Sequence, residues 1–301
     1  MRIGRACAAL TMLLFTLAWV SPAAAGDNPF KMAPPFKSAI IKYKYEGTQS
    51  GQATTYYKGS VQAEHKKVAT NILGMGSEDN TITITEPQRI TSVDLKKGEA
   101  FYTGNYMTYM AQEYDKLSSA EKKTVKKNAE AMGKNFMGMM GGKPQIRQGT
   151  FMNRPVDIVK VMGLTSYTWQ GKQVVLKQEG GIMGMQMNMT ATSIKTGVPV
   201  PADKLQVPAG MKAVFNKEAD QQQKDMAKRV MGMLKDPEFG KKQGQALEEA
   251  TRKARQEQDK QAPASGGEAS QAPSGDSSSG QENQGDVLQK GLDAAKKIFK
   301  W

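Results

Sequence analysis

"SAIIKYKYEGTQSGQATTYYKG", residues 38–59, carries the clearest strand pattern in the chain. Tyr43 and Tyr45 alternate with Lys42 and Lys44, and this period of two is typical of a β-strand with one apolar and one solvated face. A glycine-containing turn follows, and the chain returns through a second stretch of the same kind. The segment therefore predicts an antiparallel hairpin.

Further strand patterns continue on both sides of one interruption, from residue 38 to about residue 214. They read "VQAEHKKVAT", "NTITITE", "RITSVDL" and "EAFYTG", then "PVDIVKVM", "TSYTWQGKQVVLKQ" and "MGMQMNMTATSI". Short polar turns without crossover helices join these segments, which favours an antiparallel sheet that curls or closes. We therefore predict a mainly β protein with helices, of the α+β class, built on a curled antiparallel sheet or incomplete β-barrel.

The interruption, from Tyr106 to about residue 141, has a helical pattern. Ser118 and Glu121 have the spacing of a capping box, in which each residue satisfies a free backbone amide of the other. Apolar residues then recur at spacings of four and three, which predicts one apolar stripe. The stripe consists of Val125, Ala129, Met132, Phe136 and Met139. We expect this insert to form a helical lid across the concave face of the sheet.

The two ends of the chain carry segments of other kinds. Residues 1–25 combine two arginines, an apolar run and a small-residue site, which is the pattern of a secretory signal peptide. This predicts export, with the periplasm as the expected compartment. Residues 216–260 predict a charged helical arm, with a helix that stops before Pro237 and a second, more polar helix behind it. Residues 261–285 lack apolar periodicity and predict a disordered linker.

The last segment, 286–301, predicts a short amphipathic helix, so the domain is followed by a helical C-terminal extension. Its apolar face contains Leu288, Leu292, Phe299 and Trp301, with Lys296 and Lys297 among the opposing lysines. Such a helix could contact an anionic membrane surface, dock on a partner, or fold back onto its own domain. The net charge of +13 favours acidic partners. We expect these to be envelope surfaces and not nucleic acid, because no nucleic-acid-binding motif occurs.

Catalytic chemistry has little support in the sequence. The chain has one histidine, His65, and one cysteine, Cys7, which lies in the predicted signal peptide. Neither has a recognisable catalytic partner, and no phosphate-binding loop occurs. We therefore expect a protein that is not an enzyme and that needs no cofactor.

Methionine is the strongest compositional anomaly, with 20 residues. Four of them, Met183, Met185, Met187 and Met189, occupy alternate positions of one predicted strand. Thioethers can bind Cu(I), but four alternate residues spread over roughly 20 Å and no histidine or cysteine reinforces them. Flexible methionines also line adaptable apolar cavities, and we favour this second hypothesis. A ligand-free interaction domain is the third.

The favoured hypothesis is a non-enzymatic extracytoplasmic protein that holds a lipid or another apolar ligand in the concave face of the sheet. The strand residues predicted to line the site are Met183, Met185, Met187, Met189, Tyr43, Tyr45 and Trp169. The residues expected from the helical lid are Val125, Met132, Phe136 and Met139. The sequence does not specify an oligomeric state.

Residues 36–212 resemble the Lol-type lipoprotein-carrier superfamily, and are most similar to an exported branch known as a domain of unknown function. The similarity rests chiefly on "ATSIKTGVPVPADKLQVPAGM" and on the "WQGKQVVLK" hairpin. It implies a half-barrel domain, 26–215, whose concave apolar face is covered by helices and receives acyl chains, with a use in handling envelope lipids or lipoproteins. Because the characterised carriers are not enzymes, the resemblance implies no catalytic residues.

Overall fold

The computed structural model describes residues 27–31, 33–72, 75–139, 145–161, 163–182, 185–239, 241 and 245. The predicted signal peptide 1–25, the linker 261–285 and the terminal segment 286–301 lie outside the described residues, as does most of the predicted second helix of the arm.

Twelve strands form one sheet. They are β1 (Ser38–Gly47), β2 (Gln49–Lys58), β3 (Val61–Ile72), β4 (Met75–Thr85), β5 (Arg89–Asp94), β6 (Glu99–Gly104), β7 (Gln145–Phe151), β8 (Arg154–Val161), β9 (Leu164–Trp169), β10 (Val174–Ile182), β11 (Met185–Thr196) and β12 (Ala213–Phe215). Three helices accompany them: α1 (Tyr106–Asp115), α2 (Ser119–Met139) and α3 (Lys217–Lys235). A short 3-10 turn, Ala202–Leu205, precedes β12.

The strand order is β12-β6-β5-β4-β3-β2-β1-β11-β10-β9-β8-β7, so the sheet is open, with β12 and β7 at its edges. Strands that follow each other in a hairpin pair antiparallel, as predicted. The pairing of β1 with β11 joins the strands before the helical insert to those after it. One pair differs from the prediction, because β12 runs parallel to β6. The architecture is thus a large, curled, mixed sheet with helices, which confirms the α+β class.

Two contacts between aromatic rings show how tightly the sheet curls. Phe36, just before β1, lies 5.1 Å from the Tyr57 ring on β2 and 5.3 Å from the Trp169 ring on β9. These two strands are four spacings apart, which would be roughly 19 Å in a flat sheet. Since both rings touch the same phenylalanine, the sheet bends tightly around this face.

The face inside this bend holds the apolar group that we call the concave cluster. Its members are Phe36, Ala39, Ile41, Tyr43, Ala53, Tyr57, Val156, Ile158, Trp169, Val174, Leu176 and Ala191. They come from six neighbouring strands and the segment before β1. Ile41, Leu176 and Val156 are fully buried, so the centre of the cluster is filled by the protein's own side chains.

The other half of the sheet is apolar on its opposite face. Adjacent residues of a strand point to opposite faces, so Tyr56 points away from the face that holds Tyr57. Ala63 on β3 pairs with Tyr56 and therefore lies on this opposite face as well. The strap cluster on this face contains Ala63, Ile82, Ile84, Val93 and Ala100. Leu205, Val207 and Met211 from the segment before β12 pack over it. The sheet thus buries one face in its β8–β2 half and the other face in its β3–β6 half.

The helices form a cluster of their own. The helical cluster consists of Phe30, Met110, Ala111, Tyr114, Val125, Ala129, Ala227, Met231 and Leu234. Ser118 and Glu121 form the predicted capping box, with both the Ser118 amide and its hydroxyl donating to the Glu121 carboxylate at 2.9 Å. α3 begins with Asn216 as its N-cap and ends at Lys235, close to the sequence expectation.

The helical insert packs differently from the expected lid over the Met-bearing strand. Val125 and Ala129 are buried in the helical cluster, where α3 packs against both α1 and α2. α3 also meets the sheet at β6, where Gln223 donates a hydrogen bond to Thr103 at 3.1 Å. The described part of this apolar stripe, Val125 and Ala129, is therefore buried in one cluster with α3, a helix that the sequence predicts as part of a separate arm.

Candidate functional site

A cleft of about 70 Å³ lies beside the concave cluster, where β1, β11 and β10 meet near the β1–β2 turn. Its lining combines apolar and polar side chains: Tyr45, Gln49, Lys66, Gln178, Met187, Asn188 and Met189. Tyr45 and Met189 are partly buried and pack directly against the concave cluster. The cleft thus forms the accessible end of the apolar interior, and we call it the methionine cleft.

Strand register places the methionines in this cleft. Tyr45 pairs with Met189, and Gly47 pairs with Met187, so the two methionines follow each other along one side of β11. Gly47 has φ of 101° and lies so close to β11 that an added Cβ would come within 2.7 Å of the Gln186 carbonyl oxygen. Glycine at position 47 therefore permits the close strand approach that forms the cleft.

Polar groups surround the apolar lining. The Lys66 ammonium lies 4.8 Å from the centre of the Tyr45 ring and donates to Gln49 Oε1 at 3.4 Å. Burial, together with the nearby Glu64 carboxylate, raises the pKa of Tyr45 well above its usual value. Tyr45 is therefore a neutral, aromatic wall of the cleft at any ordinary pH.

Glu64 is an unexpected residue on the concave side of the sheet. It pairs with Thr55 on β2, on the same face as Tyr57 and Ala53. Burial raises the pKa of Glu64, and Lys66 opposes that rise. Neither Glu64 nor Lys66 was predicted from the sequence, because the register of β3 against β2 is not encoded in the local pattern. The signal in the sequence was the apolar Val68, which lies at alternate positions after Glu64 and Lys66 and is buried on the same face.

The structure brings together only part of the predicted site. Tyr43 and Trp169 are buried in the concave cluster, and Tyr45, Met187 and Met189 line the cleft. Val125 lies in the helical cluster instead. Met183 lies outside the described residues, and Met185 is described only as part of β11. Met132, Phe136 and Met139 belong to α2, and their side chains lie outside the described part of the structure.

His65 has a packing environment. Its Nε2 lies 2.9 Å from the Lys204 carbonyl oxygen, and its ring meets Tyr56 edge-on at 5.1 Å. It therefore holds the segment before β12 against the sheet. Within the described ranges, no three His, Cys, Asp or Glu side chains gather into a metal-binding group. No helix in that part of the chain is both long and apolar enough to span a bilayer.

No protein-family model matches the chain, and no curated protein matches it. The chain is partly similar to a number of solved structures, of which three serve as examples. An uncharacterised conserved protein from Thermus thermophilus is 7% identical, with a TM-score of 0.35 over 60% of this chain and 90% of that chain. PNGF-II is 10% identical, with a TM-score of 0.30 over 63% of this chain and 33% of its own.

MucB, the third structure, is 14% identical, with a TM-score of 0.28 over 69% of this chain and 66% of its own. At this level of similarity the three structures identify neither the family of the protein nor its ligand. The fold and the cleft define the class of protein: an α+β protein with a curled open sheet and a small, partly apolar cleft at one end of its interior.

Proposed function

We propose that this is a non-enzymatic binding protein that holds part of an apolar ligand, such as the end of an acyl chain, in the methionine cleft. The observation that carries the proposal is the lining itself. Met187, Met189 and Tyr45 continue the concave cluster outward, while Gln49 and Asn188 supply a polar rim. Ligand sites in proteins commonly combine such an apolar wall with a few polar groups that orient the ligand.

The size of the cleft limits what can bind. Its volume of about 70 Å³ is about half of the ~150 Å³ that accommodates a benzene molecule in an apolar protein cavity. A ligand must therefore displace some of the lining. Methionine suits this purpose, because its unbranched thioether side chain changes shape at low energetic cost. Binding then begins at the methionines, since the fully buried Ile41 and Leu176 fill the interior behind them.

Two further proposals concern where the protein acts, and both rest on sequence. The pattern of residues 1–25 supports export to the periplasm. The basic amphipathic segment 286–301 supports a peripheral contact with anionic membranes. Deleting residues 286–301 should weaken sedimentation with anionic vesicles at low salt and leave the behaviour with neutral vesicles unchanged. Equal sedimentation of both forms with anionic vesicles would contradict a membrane contact.

The binding proposal is tested with N-phenyl-1-naphthylamine, a neutral apolar probe whose fluorescence rises on burial. Met187→Lys and Met189→Lys should each weaken binding by at least about tenfold, because each places a charge in the apolar lining. Met152→Lys is the matched control, since Met152 lies exposed in the β7–β8 turn. Circular dichroism confirms that each variant is folded.

A double variant, Met187→Leu with Met189→Leu, separates apolar binding from Cu(I) binding. Leucine keeps the apolar volume and removes both sulfur atoms, so probe binding should persist. If the wild type instead binds Cu(I) and not the probe, and the leucine variant loses the metal, the copper hypothesis replaces this proposal. Probe binding that is unchanged in both lysine variants would also overturn it.

A further inference from the structure

A second and larger cavity, of about 250 Å³, lies at the opposite end of β1. Its apolar floor is formed by Phe36 and Trp169, whose rings are in contact at 5.3 Å. Its basic wall is formed by Lys37, Arg154 and Lys172. From Ser38 to Tyr45 the strand rises by roughly 23 Å, so this cavity is separate from the methionine cleft.

The charges of this cavity are unbalanced. Among the residues that the structure describes, no aspartate or glutamate lines it. Within the described ranges, none of the three cations takes part in an ion pair, although many other lysines there do. Two of the cations lie over the aromatic floor instead, with the Arg154 guanidinium 4.7 Å from the Trp169 ring and the Lys172 ammonium 5.4 Å from the Phe36 ring.

Arg154 also carries an unmet hydrogen-bonding group. Its Nε is buried and has no acceptor in the described part of the chain. A buried donor without a partner has given up its hydrogen bond to water and gained none in return, so such groups in folded proteins usually meet a partner. An arginine fork is shaped to donate two parallel hydrogen bonds to a carboxylate or phosphate. An anionic oxygen in the cavity is thus the kind of partner that the Arg154 guanidinium lacks.

The backbone holds Arg154 in place. The preceding turn has positive φ at Met152 and Asn153, which is the geometry of a tight two-residue hairpin turn. Pro155 then restricts Arg154 to an extended conformation. The Gln170 amide donates to the Pro155 carbonyl oxygen at 3.0 Å and so ties this strand end to the one that carries Trp169. The cation and the aromatic floor are thus fixed relative to each other by the fold.

We propose that this cavity binds a small organic anion, with its carboxylate or phosphate on Arg154, Lys172 and Lys37 and its apolar part against Phe36 and Trp169. The volume accommodates an anionic group with a ring or a short chain, since a cavity of ~150 Å³ accommodates benzene. The anion is either a free metabolite of this kind or the head group of an anionic lipid. The site goes beyond the proposed apolar binding and does not depend on it.

The test uses Trp169 as its own reporter. The chain has three tryptophans, Trp19, Trp169 and Trp301, so the full chain with Trp19→Phe and Trp301→Phe reports from the cavity alone. Phenyl phosphate, which joins an anion to a ring, should change this fluorescence saturably. Arg154→Gln and Lys172→Gln should each weaken the response by about tenfold or more. Lys160→Gln, on the same strand as Arg154 but exposed and away from the cavity, should leave it unchanged.

One further variant and one further probe complete the test. Arg154→Lys keeps the charge and the packing on Trp169 but removes the planar fork, so binding should fall between that of the wild type and Arg154→Gln. Vesicles containing phosphatidylglycerol, compared with phosphatidylcholine vesicles, distinguish the two sources of the anion. A response to these vesicles without one to phenyl phosphate, lost in Arg154→Gln, assigns the same anion site to a lipid head group.

Two outcomes would overturn the anion site. One is the absence of any Trp169 response to phenyl phosphate or to anionic vesicles. The other is an equal weakening by Lys160→Gln, which would show general attraction to a basic protein. Met187→Lys and Met189→Lys should not affect phenyl phosphate binding, so failure of the methionine cleft and failure of this site can be told apart.

Discussion

Asp220 joins the helices to the sheet through one buried carboxylate. It accepts hydrogen bonds from the Gly104 amide at 2.7 Å and the Tyr109 hydroxyl at 2.6 Å, and it pairs with Lys224 at 2.8 Å. Burial by itself would raise the pKa of Asp220, but the hydrogen bonds from Lys224, Tyr109 and Gly104 outweigh it and hold the pKa below its usual value. The ionised form therefore stabilises the fold.

Asp220→Ala should lower the free energy of unfolding at pH 7 by about 3 kcal/mol, because three donors lose a charged acceptor. The pKa of Asp220 is lower in the folded protein than in the unfolded chain, where it is about 3.9. The carboxylate therefore contributes its full stabilisation above pH ~3.9, and this stabilisation is lost as the pH falls through the pKa of the folded protein. The difference in free energy of unfolding between the wild type and Asp220→Ala, measured with urea, should thus become smaller at acidic pH. Asp225→Ala, exposed on the same helix, is the control, and a gap independent of pH would contradict this account.

At the scale of elements, the side chain of Asn128 on α2 caps the C-terminal end of α3. Its side-chain amide donates to the carbonyl oxygens of Leu234 at 2.9 Å and Asp236 at 2.8 Å. Carbonyl groups in the last turn of a helix have no partner within the helix, so a neighbouring helix supplies one here. The contact is buried, and it fixes the position of α3 along α2.

Asn128→Leu should cost about 1–3 kcal/mol in free energy of unfolding, because the side chain keeps a similar volume but no longer donates to the buried Leu234 carbonyl or to the Asp236 carbonyl. Hydrogen exchange should also become faster at the end of α3 before it changes in the strands. Glu130→Ala, at an exposed position of the same helix, provides the comparison. If the two variants were equally stable, the contact would not be what holds these helices together.

At the scale of the whole molecule, one continuous sheet carries two apolar clusters on opposite faces. Ile41 in the concave cluster and Ile84 in the strap cluster lie three strands apart, roughly 14 Å. They share no packing partner, and hydrogen bonding through β2 and β3 joins them. The two halves should therefore unfold together, although each core is built separately.

Ile41→Ala and Ile84→Ala should each cost about 2–5 kcal/mol, and the double variant should lose the sum within about 0.5 kcal/mol. All three should show a single urea transition when followed by circular dichroism and by tyrosine fluorescence. Ile146→Ala is the control, since Ile146 is 64% exposed on the edge strand β7. Two separate transitions would mean that the halves are independent units.

Local patterns were enough to predict ten of the twelve strands, all but β7 and β12, together with the capping box at Ser118 and the end of α3 before Pro237, because each depends on residues only a few positions apart. The pairing of Tyr45 with Met189 joins residues far apart in the chain, and the partner of Val125 is a helix about a hundred residues later. An apolar stripe specifies that a surface is buried but not what covers it. Long-range packing alone therefore decides three features. It decides which face of each half of the sheet is buried, that α3 packs against α2, and that Arg154 lies beside Phe36 and Trp169.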